Sequence, residues 1–342
     1  RALAGSKMEV ASTQELVQKG IGWVSAEHPT TEGSTVYLPP KVDRYETKDE
    51  NFGLFKVVST HQVAHLEYGS FEFSYETPST VFDDLRPVMF PSRHGSEDDS
   101  DDDVWITDMH RLFALFDDGK LALDIFTVLE DGRLDALVVS EYAGIRRYYR
   151  QVQNDSLNER EPLMSFPARE AMVEFLVRLS LSHTDTLQVP VNYVDEAKKI
   201  GEIATRIFSN HTRVEDVAEA TLRIYAIIIQ IPNESTAEQE WEDIDPSEFQ
   251  GDELEDGYDY KEILESRLQE IREGVPANED SDSLPYNSPE MVEFRGDFKP
   301  GLVQLLNRLR NSQQDEESGV SPFTQEALSQ MLEESPELET DQ

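Results

Sequence analysis

The amino-acid sequence predicts a mainly α-helical protein. Two long runs, 49–67 and 120–139, place apolar residues three and four positions apart, which is the spacing of one helix face. Shorter runs of the same kind occur at 166–182, 192–209 and 213–230. Only one short stretch has an extended pattern, and acidic residues dominate beyond residue 232. We therefore expect a helical domain with a short extended segment, followed by acidic linkers and a short C-terminal helical segment.

The composition excludes several functional classes. The chain has 342 residues, no cysteine, and a formal net charge of −40, with 30 Lys and Arg against 70 Asp and Glu. Without cysteine there is neither a disulfide framework nor a thiolate-ligated metal site. An acid excess of this size repels phosphate backbones and anionic lipid headgroups, so we expect no nucleic-acid partner.

The chain also lacks the patterns of membrane insertion and secretion. Its longest apolar candidate, Ile224–Ile231, is much shorter than the roughly 20 residues of a membrane-spanning helix. The first eight residues do not have the basic-then-apolar order of a signal peptide. We therefore predict no membrane insertion and a cytoplasmic location. Because the chain starts with Arg1 rather than Met, a fragment boundary is expected there.

The first elements can be placed from local signals. Thr35 to Pro40 is expected to be extended, and its two prolines end it. The helix over 49–67 has Asp49 as a candidate N-cap. Its predicted buried face is made of residues three or four apart: Phe52, Phe55, Val58, Gln62 and Leu66. The second long helix, over 120–139, is expected to bury Ile125 and Leu129.

Charge and composition predict three regions. A helical N-terminal domain covers 9–232, an acidic linker with a short helix at 260–272 covers 233–290, and an amphipathic helix with an acidic tail covers 291–342. Within the last region, 301–310 is a good amphipathic helix and 324–333 a weak one. Six acids in the seven positions from Glu97 to Asp103 predict a solvated loop inside the first domain.

The most specific chemical pattern is His61-Gln-Val-Ala-His65 in the first long helix. Residues four apart share one helical face, so two imidazoles at this spacing can bind one metal ion. A buried pair of this kind is more often structural, held by neighbouring hydrogen-bond partners. Both interpretations stay open at the level of sequence, and zinc is the metal that the pattern favours.

The same pattern argues against catalysis. Zincin-type peptidases carry His-Glu-x-x-His, in which the Glu takes a proton from the metal-bound water. Here Gln62 occupies that position, and an amide cannot act as a general base at neutral pH. The alternative is a zinc metallopeptidase-like protein in which Glu67, or a group carried by the substrate, replaces the missing base.

A third metal ligand has to come from another segment, and the candidate is Glu130 in the second long helix. In the same helix, Arg133 lies three positions on and can pair with Glu130, while Asp135 can accept a hydrogen bond from a ligating histidine. The competing interpretation is an ordinary ion pair on a helix surface. The predicted site is therefore His61, His65 and Glu130, supported by Gln62, Arg133 and Asp135.

Other catalytic signatures are missing from the sequence. There is no nucleophile-elbow pattern around a serine and no glycine-rich phosphate loop of the Walker or dinucleotide type. We therefore expect no catalytic residues, no nucleotide cofactor and no ATP hydrolysis by this chain alone.

Three stretches together resemble a known family. They are Tyr37-Leu-Pro-Pro40, the run from Asn51 to Phe73 that contains His-Gln-Val-Ala-His-Leu-Glu-Tyr-Gly-Ser-Phe, and Ile125 to Ala136 followed by Glu141-Tyr-Ala-Gly-Ile-Arg-Arg147. This combination resembles the N-terminal region of the NorD/CbbO proteins, which contain a von Willebrand factor A domain and are linked to nitric-oxide reductase and Rubisco activation. The resemblance covers roughly residues 35 to 150 well and the following helices loosely.

The resemblance implies a non-enzymatic adaptor that couples a MoxR-type AAA+ ATPase to a client protein. In that family the A domain lies at the C-terminus and carries an Asp-x-Ser-x-Ser metal site after an apolar strand. The nearest match here, Asp280-Ser-Asp-Ser283, follows a polar stretch and not an apolar strand, so metal-dependent client binding is not transferred to it. The chain is expected to be the N-terminal part of a longer protein.

Overall fold

The protein is mainly helical in a computed structural model, which confirms the predicted fold class. The structure describes residues 9–14, 28–32, 35–89, 107–181, 186–209, 211–249, 258–273 and 283–305. The helices are α1 (Lys48–Glu67), α2 (Arg86–Met89), α3 (Asp108–Phe113), α4 (Gly119–Glu141), α5 (Arg146–Glu159), α6 (Ala168–Leu181), α7 (Val194–Ile207), α8 (Val214–Ile228) and α9 (Tyr260–Glu273). The strands are β1 (Glu9–Ser12), β2 (Thr30–Glu32), β3 (Thr35–Leu38), β4 (Leu187–Pro190) and β5 (Trp241–Ile244).

The chain forms two compact units. Among the described residues, the first unit contains those within 9–74, 107–111 and 293–305, and the second contains those within 75–89 and 112–292. Each unit therefore combines segments that are distant in sequence.

A small sheet and helix α1 form the centre of the first unit. Strand β3 lies in the middle of the sheet, parallel to β1 and antiparallel to β2. Its successive residues Val36, Tyr37 and Leu38 are all buried, so both faces of this strand are covered. Helix α1 contacts β2 and β3. The predicted extended segment at Thr35–Pro40 is thus confirmed as a central strand.

Helix α1 starts two residues earlier than the candidate cap implied. Thr47 is the N-cap, and its side-chain oxygen accepts a hydrogen bond from the backbone amide of Glu50 at 3.2 Å. The Thr47 hydroxyl also donates to the Glu50 carboxylate at 2.5 Å. This Thr-x-x-Glu arrangement satisfies an amide that the helix itself leaves unpaired. Asp49 was wrong as the cap and lies in the first turn, where its charge favours the helix dipole.

The buried face of α1 also differs from the prediction in its first two turns. Val58 and Gln62 are buried as expected, but Phe52 is 53% exposed and Phe55 is 37% exposed. The ammonium of Lys56 lies over the Phe52 ring, 4.4 Å from its centroid. In this part of α1 the buried residues are instead Leu54 and Val57, which lie on the helix face next to the predicted one.

A glycine allows two distant segments of the first unit to approach. Gly296 has φ +72°, and a Cβ there would lie 2.2 Å from the carbonyl oxygen of Pro29. The next residue, Asp297, donates its backbone amide to that same oxygen at 2.9 Å. Only glycine combines this backbone angle with such a close contact.

We expect Gly296→Ala to lower the free energy of unfolding by about 1–3 kcal/mol, because the added methyl group meets backbone and the φ angle is strained. Urea unfolding followed by circular dichroism measures this change. Gly144→Ala is the control, since no atom of the described residues lies within 4 Å of its added Cβ. Equal effects of the two substitutions would contradict the prediction.

The second unit is a packed group of helices. Helix α4 contacts α6 and α8, α7 contacts α6 and α8, and α9 packs on α8. Ile125 and Leu129 of α4 are fully buried, as the spacing predicts. Strands β4 and β5 pair antiparallel, with Leu187 opposite Ile244.

Every residue of α8 is buried, including acids that bind another segment of the same unit. Asp216 accepts hydrogen bonds from the hydroxyls of Ser79 at 2.7 Å and Thr80 at 2.9 Å. Glu219 accepts from Arg86 Nε at 2.9 Å and from Arg223 Nη1 at 2.7 Å. These buried carboxylates fix the segment that precedes α2 against α8.

Much of the acidic region 233–290 is packed, although its composition predicts a linker. The described parts include β5 and α9, and the predicted helix at 260–272 is present as α9. A few apolar residues anchor these elements among the acids, namely Ile244, Phe249, Leu264 and Leu268, all of which are buried. Their burial stabilises a segment whose average composition is polar.

Two sequence predictions lie outside the described residues: the acidic loop at 97–103 and the weak helix at 324–333. The predicted helix at 301–310 is helical as far as residue 305, where the description ends. Among the described helices, none has both the length and the apolar content needed to cross a membrane.

Candidate metal centre

The two histidines of the His-Gln-x-x-His pattern lie inside the protein. His61 and His65 are fully buried in α1 and project from one face of the helix. Their ring centroids are 5.1 Å apart, with the rings edge to face. Two imidazoles this close can supply two ligands to one metal ion.

The ring of His65 is held from two sides. It stacks on Phe298 with the centroids 4.5 Å apart, and its Nδ1 lies 3.1 Å from the Ser70 hydroxyl oxygen. Gly69, with φ +71°, turns the chain so that Ser70 returns to the end of α1. A histidine whose Nδ1 is fixed in this way presents Nε2 in a defined direction, as ligating histidines do.

Gln62 is fixed in the interior of the first unit. Its Oε1 accepts a hydrogen bond from the Thr31 hydroxyl at 2.8 Å, and its Nε2 donates to the carbonyl oxygen of Arg295 at 2.5 Å. Both ends of the amide are therefore used in joining α1 to β2 and to the C-terminal segment of this unit. A carboxylate could not reproduce the second bond, because it has no proton to donate.

A second buried acid, Asp131, follows Glu130 in α4. It belongs to the second unit, whereas His61 and His65 belong to the first. Imidazole and carboxylate groups are both donors that divalent transition metals accept.

The predicted third ligand, Glu130, has its partner within its own unit. It is fully buried, and its two carboxylate oxygens accept hydrogen bonds from Arg133 at 2.6 and 2.8 Å. Arg133 also donates to the carbonyl oxygen of Thr212 at 3.0 Å. The ion pair that the sequence suggests is therefore present, and it is buried, with two hydrogen bonds from Arg133 to the Glu130 carboxylate. The role of Glu130 as a metal ligand stays a prediction.

Asp135, predicted to support a ligating histidine, lies one turn beyond Asp131 on α4. Its Oδ2 accepts a hydrogen bond from Gln153 Nε2 at 3.3 Å. Its contact with a histidine likewise stays a prediction.

Comparison with known proteins finds no matching family model, no matching curated protein and no matching solved structure. The resemblance to the NorD/CbbO proteins therefore rests on the sequence runs alone.

Proposed function

We propose that this protein is a non-enzymatic adaptor that couples a MoxR-type AAA+ ATPase to a client protein, with a structural zinc ion bound through His61 and His65. The client expected from the family resemblance is a metalloenzyme or a Rubisco-like enzyme that the ATPase remodels or activates. In this arrangement the ATPase remodels the client with the energy of ATP hydrolysis, and this chain binds the client.

The observation that carries the non-enzymatic part is the position of Gln62. The amide occupies the place of the general base in a His-Glu-x-x-His peptidase, and its two hydrogen bonds give it a structural task there. A group that holds three segments together is not free to move a proton between water and a leaving amine. The scaffold therefore favours metal binding without hydrolysis.

The adaptor part is tested with purified components. The full chain is mixed with a MoxR-type AAA+ ATPase in the presence of ADP, of a slowly hydrolysed ATP analogue, or of no nucleotide, and complexes are measured by sedimentation velocity. We expect a complex that depends on the ATP analogue. An AAA+ ring from another family is the control. No complex in any nucleotide state, or an equal complex with the control ring, would contradict the proposal.

The zinc part predicts one equivalent of metal in the purified chain. Loss of an outer-shell partner costs metal sites about 10–100-fold in affinity, so loss of a ligand should cost at least that much. We expect His61→Ala and His65→Ala each to weaken zinc binding at least tenfold, measured by competition with a chromophoric chelator. Glu130→Gln should leave the zinc affinity nearly unchanged, because Arg133 engages that carboxylate.

Two results would contradict the metal prediction. The first is clearly less than one equivalent of zinc in the wild-type chain by elemental analysis. The second is an equal loss of zinc affinity in His61→Ala and Glu130→Gln, which would show that the histidine contributes no more to zinc binding than a carboxylate paired with arginine.

The alternative function is that of a zinc metallopeptidase-like protein. It predicts hydrolysis of a peptide panel by the zinc-loaded chain and loss of that hydrolysis in His61→Ala. Turnover of this kind would replace the adaptor proposal, whereas full zinc occupancy without turnover supports it.

A further inference from the structure

An extended segment of the chain, residues 283–290, is held on the second unit by hydrogen bonds. We call it the docked segment; it has neither helix nor strand. It belongs to the second unit, and so do the residues that hold it: Asp124 on α4, Arg160 after α5, Glu170 on α6 and Asn233 after α8. We call the surface formed by these four residues the groove, because it holds an extended chain mainly through its backbone.

Most of the contacts recognise the backbone of the docked segment. The amide of Leu284 donates to the carbonyl oxygen of Asn233 at 2.8 Å, and Asn233 Nδ2 donates back to the Leu284 carbonyl at 3.1 Å. Glu170 Oε1 accepts from the amide of Asn287 at 2.8 Å. Arg160 Nη2 donates to the carbonyl oxygen of Glu290 at 2.7 Å. Such main-chain contacts give affinity for an extended chain of many sequences.

One contact selects a side chain. The hydroxyl of Tyr286 donates to Asp124 Oδ2 at 2.7 Å. Burial raises the pKa of Asp124 to about 6. Hydrogen bonds from side chains of the docked segment lower this pKa, but by less than burial raises it. A poorly solvated carboxylate needs hydrogen-bond donors. Phenylalanine in place of Tyr286 would remove the donor to Asp124 Oδ2. Asp124 therefore gives the groove a preference for tyrosine.

The docked segment buries little apolar surface. Leu284 remains 45% exposed, and Met291, directly after the segment, is 46% exposed. Glu170 is 2% exposed, and its Oε2 has no hydrogen bond of normal geometry among the described residues, although the Asn233 side chain is close enough to lower the pKa of Glu170. The docked segment itself gives this buried oxygen no donor. A ligand with one more donor would fill the groove better.

We propose that this groove on α4 and α6 is a binding site for an extended, tyrosine-containing segment of a partner protein, and that the chain's own residues 283–290 occupy it until the partner displaces them. The tether makes the internal segment a strong competitor, since a short linker gives an effective concentration on the order of millimolar. A partner segment that also donates to Glu170 overcomes that advantage. This inference does not depend on the proposed adaptor role.

The test uses a labelled peptide with the sequence of residues 281–292 and the full-length protein, followed by fluorescence anisotropy. The receptor is the Tyr286→Ala variant, whose own segment has lost its anchor. We expect this variant to bind the peptide at least tenfold more tightly than the wild-type chain does. A second peptide with phenylalanine at the tyrosine position should bind at least tenfold more weakly.

Tyr286→Phe provides a second receptor, because it keeps the ring and removes only the hydroxyl. Adding Asp124→Ala to either receptor should remove the preference for the tyrosine peptide. The proposal is overturned if neither receptor, shown to be folded by circular dichroism, binds the peptide at millimolar concentration. Equal affinity for the tyrosine and phenylalanine peptides would also overturn it.

Discussion

The Glu219→Ala variant is expected to lose about 3–5 kcal/mol of its free energy of unfolding. Glu219 has no solvent exposure, and it bonds to Arg86 and Arg223, which are 0% and 5% exposed. Removing the carboxylate leaves two buried guanidinium groups without their shared counter-charge. It also removes the acceptor of the backbone amide of Leu85. Guanidinium chloride unfolding, followed by tryptophan fluorescence and circular dichroism, measures the loss.

The control is an ion pair of the same helical spacing on the surface. Glu265 and Lys261 of α9 are four residues apart, and both side chains are about half exposed. Because exposed pairs contribute only about 0–1 kcal/mol, Glu265→Ala should change the stability little. Similar losses of unfolding free energy in Glu219→Ala and Glu265→Ala would contradict the prediction, because the buried ion pairs would then stabilise the protein no more than an exposed pair. Glu219→Gln, which keeps an acceptor, should lie between them.

The Asp124→Asn variant is expected to be more stable than the wild-type chain at pH 7.5, by up to about 3 kcal/mol. Burial raises the pKa of Asp124 from 3.8 to about 6, so ionisation of this carboxyl is less favourable in the folded protein than in the unfolded one. The folded state therefore carries a penalty above pH 6, which diminishes as the pH falls through 6 toward 3.8. Asparagine removes the charge and keeps an acceptor for Tyr286.

The sign of this effect is checked by urea unfolding of both proteins at pH 7.5 and pH 5. The advantage of Asp124→Asn should shrink to about half at pH 5, since the wild-type carboxyl then takes up a proton. The charges near Asp124 act in opposite directions, Lys120 lowering its pKa and Asp118 raising it. An advantage that stays constant between the two pH values would contradict the assignment.

Asp245→Asn is the matched control for the pH series. A hydrogen bond from the backbone amide of Ser247 lowers the pKa of Asp245, whose side chain is exposed. Its substitution should therefore give a small change of the opposite sign, with the wild-type carboxylate favoured at the higher pH.

The apolar helices α1, α4, α6, α7 and α8 were predicted from stripes of apolar residues at helical spacing, whereas the short α2 and α3 and the charged α5 were not. The long helix α4 is the clearest case, since Ile125 and Leu129 are both buried. The exposed Phe52 and Phe55 show the limit of the argument: in a helix with apolar residues around most of its circumference, spacing does not decide which stripe faces the core.

The sheets were mostly missed for a different reason. Strands β4 and β5 are four residues each and pair across a separation of more than fifty residues. These strands are stabilised by their pairing and by buried residues such as Ile244. Pairing with a distant strand leaves no local pattern in the sequence, and β5 lies in an acidic segment that does not read as a strand. β3 could be found because Val36, Tyr37 and Leu38 form a short apolar run that Pro39 and Pro40 end.

The histidine pair was predictable, because the spacing of His61 and His65 places them on one helical face and both are buried in α1. The third ligand stays a prediction. Arg133 lies three residues after Glu130 and donates to both of its carboxylate oxygens, and a carboxylate already paired with arginine is a poor metal ligand.

The complete burial of α8 bears on how the second unit exchanges its amide protons with solvent. All fifteen residues of this helix are covered, and its neighbours α4, α7 and α9 pack around it. No local fraying of a surface turn can expose the amides in the middle of α8. Their exchange with deuterium therefore reports the global opening of the unit, and the slowest rates in the second unit should come from this helix.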